Sequence, residues 1–277
     1  MQLKQVARDA LLKPLQAVSG IVERRHTLPL LANVLIEPKD GLLELTATDL
    51  EMQISAQAEC AAKAGAATTV SARKLHDLLR ALPDDATLNV EVTGSRMTVR
   101  AGRSRFNLQT LAAGDYPKIS VGSEKLQSLS LPQKDLRSLF RLVEFAMAQQ
   151  DIRYYLNGML LVIDRGSLQA VATDGHRLSW ASLAVDGDYT RQEVILPRKT
   201  VLELGKLLAE TDDPVALDIL ANQVRFRFGA IELVSKVVDG KFPDYNRVIP
   251  VGRTKSLALD RGVIQAALQR AAILSDE

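Results

Sequence analysis

Aromatic residues make up only 4% of this 277-residue chain. That scarcity excludes a core built on stacked rings, so packing falls to aliphatic side chains. Cysteine is nearly absent. Cys60 stands alone, which excludes an internal disulfide and a cysteine-rich zinc site and fits a reducing cytosol. Histidine is scarce too. His26, His76 and His176 lie far apart and form neither an HxH nor an HExxH spacing, so the sequence offers no metal cluster and no cofactor motif. No apolar run approaches the roughly 18 residues that suggest a membrane span. The opening MQLKQVARDALLKPL carries charges where a signal peptide would need its apolar stretch. Neither sign of charge dominates: 35 Lys and Arg face 33 Asp and Glu, a net of +2. Such a balance does not announce nucleic acid, and what matters is where the charges lie.

What is present is a soluble composition, 47% apolar and 25% charged, at a length that allows about two domains. The chain also repeats itself. LTATDLEMQI (45–54) resembles AVATDGHRLS (170–179), with Asp49 and Asp174 125 residues apart. SARKLHDLLRAL (71–82) resembles PRKTVLELGKLL (197–208), with Arg73 and Arg198 also 125 residues apart. RMTVRAGRSRFNL (96–108) resembles QVRFRFGAIELV (223–234), and GDYPKI (114–119) resembles KFPDYNRV (241–248). A third copy starts: SLSLPQKDLRSLF (128–140) resembles SLALDRGVIQAAL (256–268). The expected organisation is one module over 1–124, a second over 125–254 and the beginning of a third, cut short, over 255–277.

Within each copy, helical periodicity predicts two helices, at 8–19 and 71–82, then at 134–148 and 197–210. Pro14 interrupts the first of these patterns. Ser71 is a good N-cap for the second, which should bury Leu75, Leu78, Leu79 and Leu82. Around them, runs such as LLELTAT, TLNVEVTG, SLQAVAT and QVRFRF alternate with period two and are separated by turn residues. They predict antiparallel strands and an α+β fold. The four helical segments carry a net +5, which leaves −3 for the rest. Positive charge is therefore concentrated on helices, as an ordinary solvated face or as a binding surface.

VATDGHRLSW (171–180) holds an acid, an imidazole and hydroxyls side by side. A hydrolase or transferase would need a nucleophile or a metal here, and the chain has no nucleophile elbow, Walker loop or metal cluster. The first copy reads TATDLEM at the same place, keeping the Asp and lacking the His. The Thr-Asp pair is thus expected to be architectural, a carboxylate capping a turn.

The strings LLKPLQAVSG, TLPLLANVLIE, TATDLEM, GRSRFNLQTL, QDIRYYLNGML, VATDGHRLSW, LPRKTVLEL, SKVVDGKFPDYNRVIP and AAILSDE resemble those of bacterial DNA polymerase III sliding clamps, the β subunits. The resemblance implies the DNA-clamp fold, tandem duplicated domains each with two helices packed on antiparallel sheets. It implies a processivity factor without enzymatic activity. Three domains per chain and two chains head to tail would close a cytoplasmic homodimeric ring around double-stranded DNA, without sequence preference. A chain lacking most of the third domain is expected not to close that ring. Positions matching the family's bore and rim are Lys13, Arg25, Arg73, Arg80, Arg103, Arg105, Gln149, Arg153, Tyr154, Tyr155, Arg198 and Lys199. Positions matching its pocket for short partner motifs are Leu156, Thr173, Gly175, His176, Arg177, Leu178, Pro243, Arg247 and Val248. The implied partners are the polymerase III catalytic subunit, the clamp loader, and other polymerases and repair proteins. Gly175 is expected to let a peptide backbone approach closely. A rival of another kind is a monomeric basic module that grips DNA instead of encircling it.

Overall fold

The computed structural model describes residues 1–22, 28–252 and 254–275. The chain forms two compact units, Met1–Phe242 and Pro243–Glu277. The first unit contains the same succession of elements twice. It begins with β1 (Gln2–Ala7), α1 (Arg8–Ser19), β2 (Asn33–Lys39), β3 (Leu42–Thr48), β4 (Met52–Glu59), β5 (Thr68–Ser71), α2 (Ala72–Arg80), β6 (Thr87–Thr93), β7 (Arg96–Ala101) and β8 (Ser104–Ala112). It continues with β9 (Lys125–Pro132), α3 (Gln133–Arg141), β10 (Gly158–Asp164), β11 (Ser167–Thr173), β12 (Leu178–Ala184), β13 (Gln192–Pro197), α4 (Arg198–Leu207), β14 (Pro214–Leu220), β15 (Gln223–Phe228) and β16 (Ile231–Lys236).

Strand order repeats as well. The first copy runs β1-β6-β7-β8-β5-β2-β3-β4, and the second is built from β9-β14-β15-β16 and from β13-β10-β11-β12. Among the described residues the strand pairings are all antiparallel, as the alternating runs predict. The copies join where β4 pairs with β16, Ala56 opposite Ile231 and Met52 opposite Ser235, so that twelve strands form one sheet. β12 occupies in the second copy the place of β4 in the first, and among the described residues its one sheet neighbour is β11.

The buried face of each strand is aliphatic: Val34, Ile54, Val70 and Val99 in one copy, Leu161, Leu168, Val215 and Leu233 in the other, all nearly inaccessible. Helices lie on this face. Leu11, Leu12, Leu15 and Val18 anchor α1, and Leu136, Leu139 and Phe140 anchor α3. Pro14 is accommodated inside α1 and is buried. Ser71 caps α2, its hydroxyl accepting the Lys74 N–H at 3.4 Å. Leu75 and Leu79 are buried there, whereas Leu78 and Leu82 are only half-buried.

Two predicted helices are shorter than the apolar pattern. The segment expected to be helical over 134–148 ends its helix at Arg141. A 3-10 turn follows at Glu144–Ala146, and Met147 is extended, so that the Ala148 N–H reaches the Leu156 carbonyl at 3.0 Å. Val143, Ala146 and Met147 stay buried all the same, so the hydrophobic repeat continues where the helix does not. The segment expected over 197–210 leaves the helix at Leu208, whose backbone is extended.

The helices form a row. α1 packs on α2, and α3 on α4. The end of α1 meets α4, where a Cβ on Gly20 would run into the Glu203 carboxylate. The order across the face is α2–α1–α4–α3. In the second unit, α5 (Arg261–Ala272) is capped by Asp260, which accepts the Val263 N–H at 2.9 Å.

Candidate functional site

The acid–imidazole stretch is a turn, and it is built twice. In β11–β12, Thr173 Oγ1 donates to the Arg177 carbonyl at 2.7 Å and accepts the Gly175 N–H at 3.1 Å. Asp174 Oδ1 accepts the His176 and Arg177 N–H groups at 2.9 and 3.0 Å. In β3–β4, Thr48 donates to the Met52 carbonyl and accepts the Leu50 N–H. Asp49 Oδ1 accepts the Glu51 and Met52 N–H groups at 3.0 and 2.7 Å. Residue three is left-handed in both, φ +76° at Leu50 and +90° at Gly175. Asp174 therefore meets the backbone of His176 and not its ring, and the Thr173 hydroxyl is committed at both ends. No catalytic pair is assembled. The Arg177 and His176 N–H groups, with the Arg177 guanidinium, hold the Asp174 carboxyl below its usual range.

Gly175 is also required by its own surroundings. Beyond its positive φ, a Cβ there would lie 3.1 Å from the Arg153 guanidinium. Arg153 is itself fastened to Asp151, at 3.0 and 2.7 Å, and its Nη2 reaches the Asp174 carbonyl at 3.4 Å. The Arg153 side chain and N–H pull the Asp151 carboxyl down to about 2.

The candidate DNA residues fall into two groups. Lys13 and Arg80 stand exposed on α1 and α2 and enter no ion pair among the described residues. Arg103 and Arg105, on the β7–β8 turn and β8, are likewise exposed but sit off the helix row. Gln149 and Tyr154 are exposed. Tyr155 is half-buried and meets Tyr154 edge to face, centroids 5.8 Å apart. The others have partners. Arg73 lies 3.7 Å from Asp77, Arg198 donates to the Met147 carbonyl, and Lys199 is paired with Asp49 of the first copy. Arg25, like His26, lies outside the described residues. Lys74 and Arg141 are absent from the sequence-based set, yet both are exposed on the helix row and unpaired among the described residues. Their place on the polar face of each helical pattern was the signal. With the observed boundaries the four helices carry a net +7 against +2 for the whole chain, which leaves −5 for the remainder.

The pocket set divides between the two units. In the first, Leu178 is half-buried, Thr173 and Gly175 belong to the turn, and His176 and Arg177 are exposed. Arg177 lies over the Phe145 ring, 5.7 Å from its centroid. Leu156 differs from expectation: at 2% exposure it is core and offers almost no surface to a ligand. In the second unit, Pro243 is exposed, Arg247 is paired with Asp244 at 2.9 Å, and the Val248 N–H reaches the Tyr245 carbonyl.

Comparison with known proteins decides the family. The model of the DNA polymerase III beta subunit N-terminal domain matches residues 1–120, and that of its central domain matches 130–244. The chain belongs to the DNA polymerase III beta subunits. It is 48% identical to the beta sliding clamp of Pseudomonas aeruginosa over 275 residues, and 45% identical to that of Escherichia coli K12 over 273. Each alignment covers 98% of this chain and 74% of the relative. Among solved structures, the P. aeruginosa sliding clamp bound to griselimycin superposes with a TM-score of 0.95 at 46% identity, over 100% of this chain and 75% of that one. The Caulobacter crescentus clamp gives 0.91 at 39%, over 100% and 76%.

A beta subunit is a processivity factor of DNA replication, a partner of DNA and polymerase and not an enzyme. The sliding-clamp fold accounts for the architecture above, helices on one face and a continuous antiparallel sheet behind them. No helix among the described residues is long and apolar enough to cross a membrane.

Proposed function

We propose that the row α2–α1–α4–α3 is the surface this clamp turns toward duplex DNA, with Lys13, Lys74, Arg80 and Arg141 as its free cations. The observation that carries the reading is the division of charge, +7 on four adjacent helices and −5 elsewhere. Exposed ammonium and guanidinium groups without carboxylate partners attract phosphates over a Debye length of roughly 8 Å. They read no base edge, so the duplex can slide. Arg73, Arg198 and Lys199 contribute less, because each already has a protein partner. Arg103, Arg105, Gln149, Arg153, Tyr154 and Tyr155 belong to the rim in this reading, and Arg25 enters through the resemblance alone.

The modules run over 1–124 and 125–254, with a third beginning at 255, and a complete third domain lets two chains close as a ring in the cytoplasm. Partner motifs of the polymerase III catalytic subunit, the clamp loader, and other polymerases and repair proteins dock on the β12 side of the Thr-Asp turn. Thr173, His176, Arg177 and Leu178 present that surface. Pro243, Arg247 and Val248 enter this proposal through the resemblance.

Binding to a short duplex, measured by fluorescence anisotropy across a salt series, tests the DNA surface. Each cation that loses a phosphate contact should lower the slope of log K against log salt by about 0.9. Exchanging Lys13, Lys74, Arg80 and Arg141 together for Gln should abolish most of the salt dependence, at equal cost for any duplex sequence. An unchanged slope contradicts the assignment.

A further inference from the structure

Asp218 belongs to the outward row of β14, since its neighbours Leu217 and Ile219 are core. Its side chain is nevertheless only 2% exposed, because cations cover it. Oδ1 accepts the Ser128 hydroxyl at 2.7 Å and meets Lys125 Nζ at 3.1 Å. Oδ2 accepts Arg225 Nε and Nη2 at 3.0 and 2.6 Å and Arg227 Nη2 at 3.3 Å. A carboxylate has about four lone-pair sites, and these donors fill them. One bidentate arginine would satisfy the buried acid. Three cations against one carboxylate exceed that need and leave an excess of two positive charges.

The fold of the module does not demand such a cluster. Asp218 lies opposite Ser128 and Arg225, and in the first copy Glu91 lies opposite Gln2 and Thr98. Glu91 is exposed and forms no ion pair among the described residues. Threonine thus stands in the first copy where Arg225 stands in the second. The cations also keep donors in reserve. Arg225 Nη1 and Arg227 Nε and Nη1 make no hydrogen bond among the described residues, and the Lys125 and Arg227 side chains are 43% and 46% exposed. Glu232 lies opposite Arg227, and Glu124 adjoins Lys125, but neither pairs with the three cations among the described residues.

Arg227 also lines a groove of about 440 Å³ on the same sheet surface. That volume lies in the range of small-molecule sites. Thr46, Ser55 and Gln57 form one wall, and the β15–β16 turn at Gly229–Glu232 forms another. The polar wall is fixed by its own bonds: Thr46 and Ser55 hydroxyls lie 2.9 Å apart, and Gln57 Nε2 donates to Glu44 at 3.1 Å. Hydroxyl, amide and carboxylate oxygens in fixed places accept from the hydroxyl groups of a polyol.

We propose that Lys125, Arg225 and Arg227 form an anion site for a phosphoryl group, and that the adjoining groove holds its polar carrier, a molecule of sugar-phosphate size. A phosphoryl dianion matches the two excess charges, and the guanidinium forks match its oxygens. The site lies on the sheet and is separate from the helix row assigned to DNA.

The test is a phosphorus NMR titration of the whole chain with inorganic phosphate and with ribose 5-phosphate, at constant ionic strength. Both should bind saturably, ribose 5-phosphate about threefold or more tighter. Lys125→Gln and Arg227→Gln should each weaken both ligands about threefold to fivefold, whereas Arg227→Lys keeps most of the affinity. Ser55→Leu or Ala230→Leu, which fill the groove, should bring ribose 5-phosphate down to the level of phosphate and leave phosphate unchanged. Exchanging Lys13, Lys74, Arg80 and Arg141 together for Gln should alter neither. Thermal melting confirms that each variant is folded. Absence of phosphate binding up to tens of millimolar, binding indifferent to Lys125→Gln and Arg227→Gln, or binding lost with the helix-row exchange overturns the anion site. Ribose 5-phosphate no tighter than phosphate overturns the assignment of the groove.

Discussion

Replacing the turn aspartate by alanine in each copy separates an architectural carboxylate from a catalytic one, and the two turns should respond unequally. Asp174 accepts two N–H groups at the surface and pairs with an Arg177 that is 58% exposed. Water replaces much of what Asp174→Ala removes, and an exposed ion pair contributes little. The expected cost is about 1–2 kcal/mol. Asp49 makes the same two bonds from a side chain only 6% exposed, and it also holds Lys199 of the neighbouring copy. Asp49→Ala leaves the Met52 N–H without an acceptor in the core and removes one partner of Lys199 at the junction. The expected cost is about 2–3 kcal/mol. Asn keeps an Oδ1 acceptor, so Asp49→Asn and Asp174→Asn should recover roughly half of each loss. The Asp174 carboxyl is held below its usual range when folded. Its contribution is then complete above a pH of about 4 and fades as pH falls below that value, so wild type and Asp174→Ala should converge in acid. Urea unfolding with unchanged m-values measures all four variants. The reasoning is refuted if Asp174→Ala costs as much as Asp49→Ala, or if Asn at either site is no better than Ala.

Gly20→Ala should push Glu203 from its place at the α1–α4 junction and cost about 1–3 kcal/mol. Glu203→Ala should relieve part of that loss, which a double-mutant cycle by urea unfolding would show as coupling. Asp218 is buried beneath Lys125, Arg225 and Arg227, accepts the Ser128 hydroxyl, and is held down to about 2. Asp218→Asn should lower the melting point measurably at pH 7, at a cost of about 3 kcal/mol. The deficit should shrink as pH drops from about 4 toward 2, because the folded-state carboxylate then takes up its proton.

The duplication was legible because a copied module keeps its turn chemistry. TATD and VATD mark the same Asx turn in the sequence, and both form it. Strands with clean alternation, such as LLELTAT and SLQAVAT, lie at their predicted places. The end of α3 was illegible, because Val143, Ala146 and Met147 remain core residues after the backbone leaves the helix. Periodicity reports burial, and here burial outlasts hydrogen bonding. The β4–β16 junction was equally hidden, since edge pairing between modules leaves no mark on local pattern. For the candidate site, outward positions on a helix could be recognised from sequence, but ion-pair partners could not. Lys199 and Arg80 look alike as residues, yet one is tied to Asp49 across the junction and the other is unpaired among the described residues. Leu156 matched a pocket position and proved to be core.

Site-directed crosslinking to duplex DNA tests most directly which face of the clamp meets the nucleic acid. With Cys60 changed to Ser, single cysteines carrying a photoreactive group are placed on the helix row, at Lys13 or Arg80, and on the opposite sheet face, at Gln57 or Ser182. Crosslinks should form from the helix positions alone and fade with added salt. Crosslinks from the sheet positions, with none from the helices, would contradict the account.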